Sequence, residues 1–171
     1  MRSLWLLRHA KASRDDPQGD DHARSLTPRG ERAAAQVAEH LASAAERPSL
    51  VLCSSAERTR ATLEPLLRRL APPPRVEIEP DLYLASAAQL LARLARLPTG
   101  ERHVLVVGHN PGLHELAVRL AGRGEGPALA RLREKLPTAA LVLLELEIAH
   151  WRAIKPGCAV LVDLRFPRDP A

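Results

Sequence analysis

The sequence predicts a three-layer α/β/α sandwich with a largely parallel central sheet and a C-terminal β-hairpin. Short apolar runs alternate with amphipathic helical stretches over residues 4–120, the pattern of parallel strands joined by helical crossovers. Three of those runs end in polar residues directly before a loop or helix start. Past residue 140 the spacing changes to strict alternation, as an antiparallel pair requires.

Residues 4–7, Leu-Trp-Leu-Leu, read as the first buried strand. After a polar loop, Thr27 supplies an N-cap and Pro28 a proline at the first helical position, where a missing N–H leaves no bond unmade. Ala34, Val37, Ala38 and Leu41 recur at helical spacing and give that helix its buried face, and Pro48 closes the connection. Residues 50–53 form the second strand. Ser54 and Ser55 are then expected to cap a helix with Thr59, Leu63, Leu66 and Leu70 on one side. Pro65 removes a backbone donor within that helix and is expected to kink or break it. Pro72, Pro73 and Pro74 make a stiff linker that is not a domain boundary.

Residues 76–79 fit a short edge strand. Ser86 and Gln89 stand at the spacing of a capping box and open a helix carrying Leu90, Leu91, Leu94 and Leu97. Residues 103–107 form a further buried strand that stops at Gly108 and His109. Asn110 and Pro111 then start a helix with Leu113, Leu116, Ala117 and Leu120 inward and Gly122 as its stop. Val142, Leu144, Leu146 and Ile148 alternate, as do Val160, Val162, Leu164 and Phe166. A hairpin turning near Lys155, Pro156 and Gly157 is expected to complete the sheet.

The chain has 171 residues and is 46% hydrophobic, so residues 1–171 are expected to form one globular domain. The run from Leu4 to Leu7 is too short for a signal-peptide core or a membrane span, and no later run compensates. A cytoplasmic protein without membrane contact is expected. Cys53 and Cys158 have no metal-ligand or redox spacing and read as two inert thiols. A net charge of +5 raises nucleic-acid binding, but the chain has only three lysines and two tryptophans, one tyrosine and one phenylalanine. The arginines are scattered and a base-stacking platform is hard to assemble, so no nucleic-acid partner is expected. There is no HExxH, and His109 and His114 lie five apart rather than four and so share no helical face; neither a metal nor another cofactor is expected.

The chemistry sits at three strand ends: Arg8 and His9 after the first strand, Ser54 and Ser55 before Arg58 after the second, and Gly108 and His109 after the later one. Ligands of open α/β sheets bind just beyond such carboxyl ends. If the strands are neighbours, two arginines and two histidines converge on an anion pocket. Guanidinium forks match a phosphoryl group, and a neutral imidazole is a competent nucleophile near neutral pH.

The segment from Leu7 to Ala12, Leu-Arg-His-Ala-Lys-Ala, resembles the Arg-His-Gly signature of the histidine phosphatase superfamily, in the Arg-His-Ala-Lys-Ala form of its small bacterial phosphohistidine phosphatase-like branch. Leu26, Thr27 and Gly30 are similar to its Leu-Thr-x-x-Gly turn. Ser54 to Thr62 resembles its Ser-Pro-x-x-Arg-Ala-x-x-Thr segment, and Val107 to Pro111 its second-histidine motif. Ala10 stands where glycine is usual, and Ser55 and Thr59 where proline and alanine are; Arg58 keeps its register.

The resemblance implies a phosphoglycerate mutase-like fold and a metal-independent hydrolase with His9 as nucleophile. Arg8, Arg58 and His109 would hold and polarise the phosphoryl oxygens. Lys11 and Arg24 are further candidates for substrate binding. Asp21, in a segment similar to the Asp-x-x-Arg-x-Leu-Thr loop of that branch, is the first candidate for the leaving-group acid, and Asp81 the second. With little chain between the motifs to cover the cleft, protein phosphohistidine is the expected substrate. A small phosphomonoester is the alternative within the same chemistry, and a non-catalytic phosphate-binding module the alternative outside it.

Overall fold

The computed structural model describes residues 1–14 and 19–168. Among them the strands are β1 (Arg2–Arg8), β2 (Leu50–Ser54), β3 (Arg75–Glu79), β4 (His103–Gly108), β5 (Ala121–Gly124), β6 (Leu141–Leu146) and β7 (Ala159–Arg165). The helices are α1 (Pro28–Ser43), α2 (Glu57–Arg69), α3 (Ala87–Ala95), α4 (Gly112–Leu120) and α5 (Gly126–Glu134). All seven strands join one sheet in the order β3-β2-β4-β1-β6-β7-β5. β3, β2, β4 and β1 run parallel. β6 is antiparallel to β1 and β7 antiparallel to β6, so the alternating C-terminal segments do pair as expected.

The apolar runs are continuous because both faces of the sheet are covered. Period two still sorts them. Leu4, Leu6, Leu50, Leu52, Val104 and Val106 face α3, α4 and α5. Trp5, Leu7, Val51, Cys53, Leu105 and Val107 face the other way, against Ala38 and Leu41 of α1 and Leu63 and Leu66 of α2. Thr27 caps α1 by accepting from the Gly30 N–H at 3.0 Å, and Ser86 with Gln89 forms the capping box of α3.

Several local expectations are corrected. Ser54 and Ser55 do not cap α2: the residue before the helix is Ala56, no side chain caps it, and both hydroxyls are engaged elsewhere. Pro65 lies inside α2 without ending it. Gly122 is not a left-handed helix stop but a residue of β5. A Cβ there would stand 2.2 Å from the Gly157 carbonyl oxygen, so it is glycine for close approach. The hairpin turn is not tight, because residues 147–158 include a 3-10 turn at Trp151–Ala153 before β7. Neither β5 nor α5 is among the expected elements: the Gly-rich stretch of β5 reads as a loop, yet it finds ladder partners on β7, and α5 opens on Pro127 at its first turn.

Candidate active site

The register sets the site. Arg8 is level with Gly108 across β1 and β4, and Cys53 with Val107 across β2 and β4, so the next residues of each strand emerge side by side. A cavity of about 550 Å³ opens there, lined by Arg8, His9, Arg58 and His109, with Asp21, Arg24 and Lys11 among the residues around them. The sequence-derived residues are therefore brought together, with the exception of Asp81, which is exposed on the 3-10 turn at Pro80–Leu82 and does not line the cavity.

His9 is 8% exposed, and its Nδ1 lies 2.8 Å from the Ala10 carbonyl oxygen. A carbonyl only accepts, so Nδ1 carries the proton and Nε2 holds the lone pair. Burial, reinforced by the charges of Arg58, Arg8 and Arg24, lowers the His9 pKa to about 4. The ring is neutral at pH 7 and oriented by its own backbone. The segment that carries it is tied down twice. The Ala10 N–H donates to Thr62 Oγ1 at 2.9 Å, and Thr62 donates to the Arg58 carbonyl at 2.6 Å, which locks the end of β1 to the helix bearing Arg58. α1 presses on the next residue: a Cβ on Gly30 would stand 2.1 Å from the Lys11 carbonyl oxygen. That contact is the physical content of the glycine in the Leu-Thr-x-x-Gly turn.

His109 packs against His9 with ring centroids 5.3 Å apart and against Tyr83 edge-on at 5.4 Å. Its Nε2 lies 2.7 Å from Ser54 Oγ, while Nδ1 is buried without a partner. Ser54 Oγ already accepts from the Ala56 N–H at 3.3 Å, which favours its own proton going to His109 Nε2 and leaves Nδ1–H as an unused donor. Burial, then the neighbouring His9 and Arg58, pushes the His109 pKa down to about 3. Arg8 donates to the Leu136 carbonyl at 3.0 Å, but its Nε and that of Arg58 are buried and unpaired. Burial and the like charge of Arg58 lower the pKa of Arg8. Two crowded guanidiniums beside an unused imidazole donor are a place for an anion.

Asp21 lines the cavity and is surrounded by hydrogen-bond donors. Its carboxylate accepts from Tyr83 Oη, from Arg24 at 3.0 Å and from Arg58 at 3.1 Å, and its backbone carbonyl accepts from Arg58 at 2.7 Å. Those hydrogen bonds, that of Tyr83 first, hold its pKa well below the usual carboxylate range. These contacts favour the ionised carboxylate and hold it against the Arg58 guanidinium. Arg24 is braced on the Ser13 carbonyl at 2.6 Å, and Lys11 is exposed at the cavity rim.

Tyr83, Ser54, Asn110 and Thr62 are the site residues that sequence reasoning missed as such. Asn110 donates to the Leu136 carbonyl at 2.8 Å, beside Arg8. Tyr83 is the chain's one tyrosine and touches His22, His109 and Arg58. Ser54 and Thr62 were in the recognised segment, and their polarity at buried positions was the available signal. His22 packs edge-on against Tyr83, with its Nε2 2.9 Å from Ser55 Oγ.

Two neutral histidines and two buried or half-buried arginines gathered at the carboxyl ends of interior parallel strands define a phosphoryl-handling α/β protein. The comparisons agree. The profile of the histidine phosphatase superfamily (branch 1) matches residues 4–83. An uncharacterized protein of Mycobacterium tuberculosis is 36% identical over 164 residues, which span 95% of this chain and 100% of the relative. A proposed phosphohistidine phosphatase, SixA, of Nakamurella multipartitia superposes with a TM-score of 0.84 at 29% identity, covering 97% of this chain and 96% of the other. The protein histidine phosphatase SixA complexed with tungstate superposes at 0.75 with 25% identity and 95% of each chain covered. The chain belongs to the histidine phosphatase superfamily, and its family and structural neighbours indicate a phosphatase.

Proposed function

We propose that this protein hydrolyses phosphohistidine on another protein, through a phosphohistidine intermediate of its own at His9. The observation that carries the reading is the His9 ring, neutral and bonded through Nδ1 to the Ala10 carbonyl so that Nε2 is unprotonated. Nε2 attacks phosphorus, the P–Nε2 bond forms, and the bond to the substrate imidazole breaks as that ring takes a proton. Water then attacks the phosphorus and releases phosphate, restoring His9. Arg8 and Arg58 neutralise the phosphoryl oxygens, and the unused His109 Nδ1–H donates to one of them. That a structural neighbour binds tungstate, a tetrahedral oxyanion, supports this use of the pocket.

The choice of substrate rests on Asp21. Among the described residues it is the one carboxylate lining the cavity, and it is held ionised. An alkoxide leaves poorly without a proton donor, whereas an imidazole leaves once its ring nitrogen is protonated from water. The site therefore suits a phosphoramidate better than an ester. The test is turnover of a peptide phosphorylated on histidine, a phosphoserine peptide and p-nitrophenyl phosphate at equal concentration. The phosphohistidine peptide is expected to turn over fastest, p-nitrophenyl phosphate more slowly through its good leaving group, and phosphoserine least. Rapid phosphoserine hydrolysis would overturn the substrate assignment, and tight phosphate binding without turnover of any substrate would leave a binding module.

A further inference from the structure

Beside the catalytic cavity lies a second, larger one of about 610 Å³ that the mechanism does not use. Its walls are the outer side of α1, the segment after α5 and the chain following β7. Lys11, Arg29, Arg32, Lys135 and Arg168 line it, and among the described residues no carboxylate does. Lys11 and Thr138 line both cavities, so the two are continuous across the loop that follows His9. The dividing wall is firm: the Leu136 carbonyl, one residue past Lys135, accepts from Arg8 at 3.0 Å and from Asn110 at 2.8 Å. Arg32, Lys135 and Arg168 are exposed, so their charge reaches solvent instead of being spent on the core. A volume of this size takes several side chains, and a cleft lined by one sign of charge concentrates the opposite sign.

Resting on the phosphohistidine reading above, we infer that this basic cleft holds acidic side chains flanking the phosphohistidine of the substrate protein. With the phosphoryl group at His9, the chain that carries it leaves over Lys11, and a run of Asp or Glu residues then enters the cleft. The recognition is electrostatic and lies outside the reacting atoms. It should act on KM and leave the chemical step alone.

The experiment compares two peptides phosphorylated on histidine, one flanked by four glutamates and one by four glutamines, with the whole protein and with the Arg32→Gln, Lys135→Gln double variant. Both side chains are exposed, so folding is not at issue; p-nitrophenyl phosphate, too small to reach the cleft, is the internal control. The wild type should show a KM about tenfold lower for the glutamate peptide, the double variant should lose most of that preference, and 0.5 M salt should erase it in the wild type. Turnover of p-nitrophenyl phosphate should be unchanged. Equal KM values for the two wild-type peptides, or a preference that survives the double substitution, would overturn the inference. So would a parallel loss on p-nitrophenyl phosphate, which would make the cleft part of the catalytic pocket. Failure of the wild type on every substrate would instead overturn the phosphatase reading on which this one rests.

Discussion

Acidification from pH 8 to pH 5 should destabilise the fold through the two pocket histidines, and the size of the effect follows from their environment. In the folded protein their pKa values are about 4 for His9 and about 3 for His109, while an unfolded imidazole titrates near 6.5. Between pH 6.5 and about 4 the unfolded chain thus binds more protons than the folded one, and stability must fall as the pH falls. The contribution is fully present above pH 6.5 and lost through that window. From pH 6.5 to 5 each ring loses roughly 1.4 kcal/mol per pH unit, or about 2 kcal/mol. The perturbation that isolates one ring is His9→Asn, whose amide can still donate to the Ala10 carbonyl. Urea unfolding of both proteins at pH 8 and pH 5 should show the wild type losing about 2 kcal/mol more than the variant. Parallel losses would refute a buried, neutral His9, and with it the unprotonated Nε2 on which the proposed attack depends.

Three further outcomes follow from the site. Arg58→Ala should lower kcat/KM on the phosphohistidine peptide by about a hundredfold, the typical effect of losing one donor to a developing charge, whereas Arg60→Ala, exposed on the same helix, should be near silent; equal losses would contradict the placement of the pocket. Asp21→Asn should slow phosphohistidine and ester hydrolysis by the same factor, because the carboxylate positions Arg58 and holds no proton; a loss confined to esters would restore it as the acid. Gly30→Ala should destabilise the protein by about 2 kcal/mol in thermal or urea unfolding, since its Cβ meets backbone and not a flexible side chain, and an unchanged midpoint would show that the Lys11 loop can retreat.

The sheet and the strand ends were legible because their signals are local. Continuous apolar runs such as residues 4–7 have one low-energy answer when both faces are covered, and Thr27, Pro28, Ser86 and Gln89 are caps whose chemistry is complete within four residues. What stayed hidden depends on partners far along the chain. β5 is a poor strand by composition and exists because β7 offers it a ladder. Ser54 looks like a helix cap until His109, 55 residues away, takes its hydroxyl. The two arginines and two histidines of the pocket could be named from their motifs, but the surroundings of Asp21 could not. Whether a carboxylate gives a proton or steers a guanidinium depends on Tyr83, Arg24 and Arg58 meeting it at once, and no spacing in the sequence encodes that meeting.

The most direct test of the proposed chemistry is to stop the reaction during turnover of a substrate labelled on phosphorus and find where the label rests. The intermediate should appear on His9 within the first turnover, stable in alkali and lost in acid, and should be absent from His9→Ala. Label held in acid on Ser54 or Ser55, or single-turnover release of phosphate without any labelled protein, would contradict a covalent intermediate on His9.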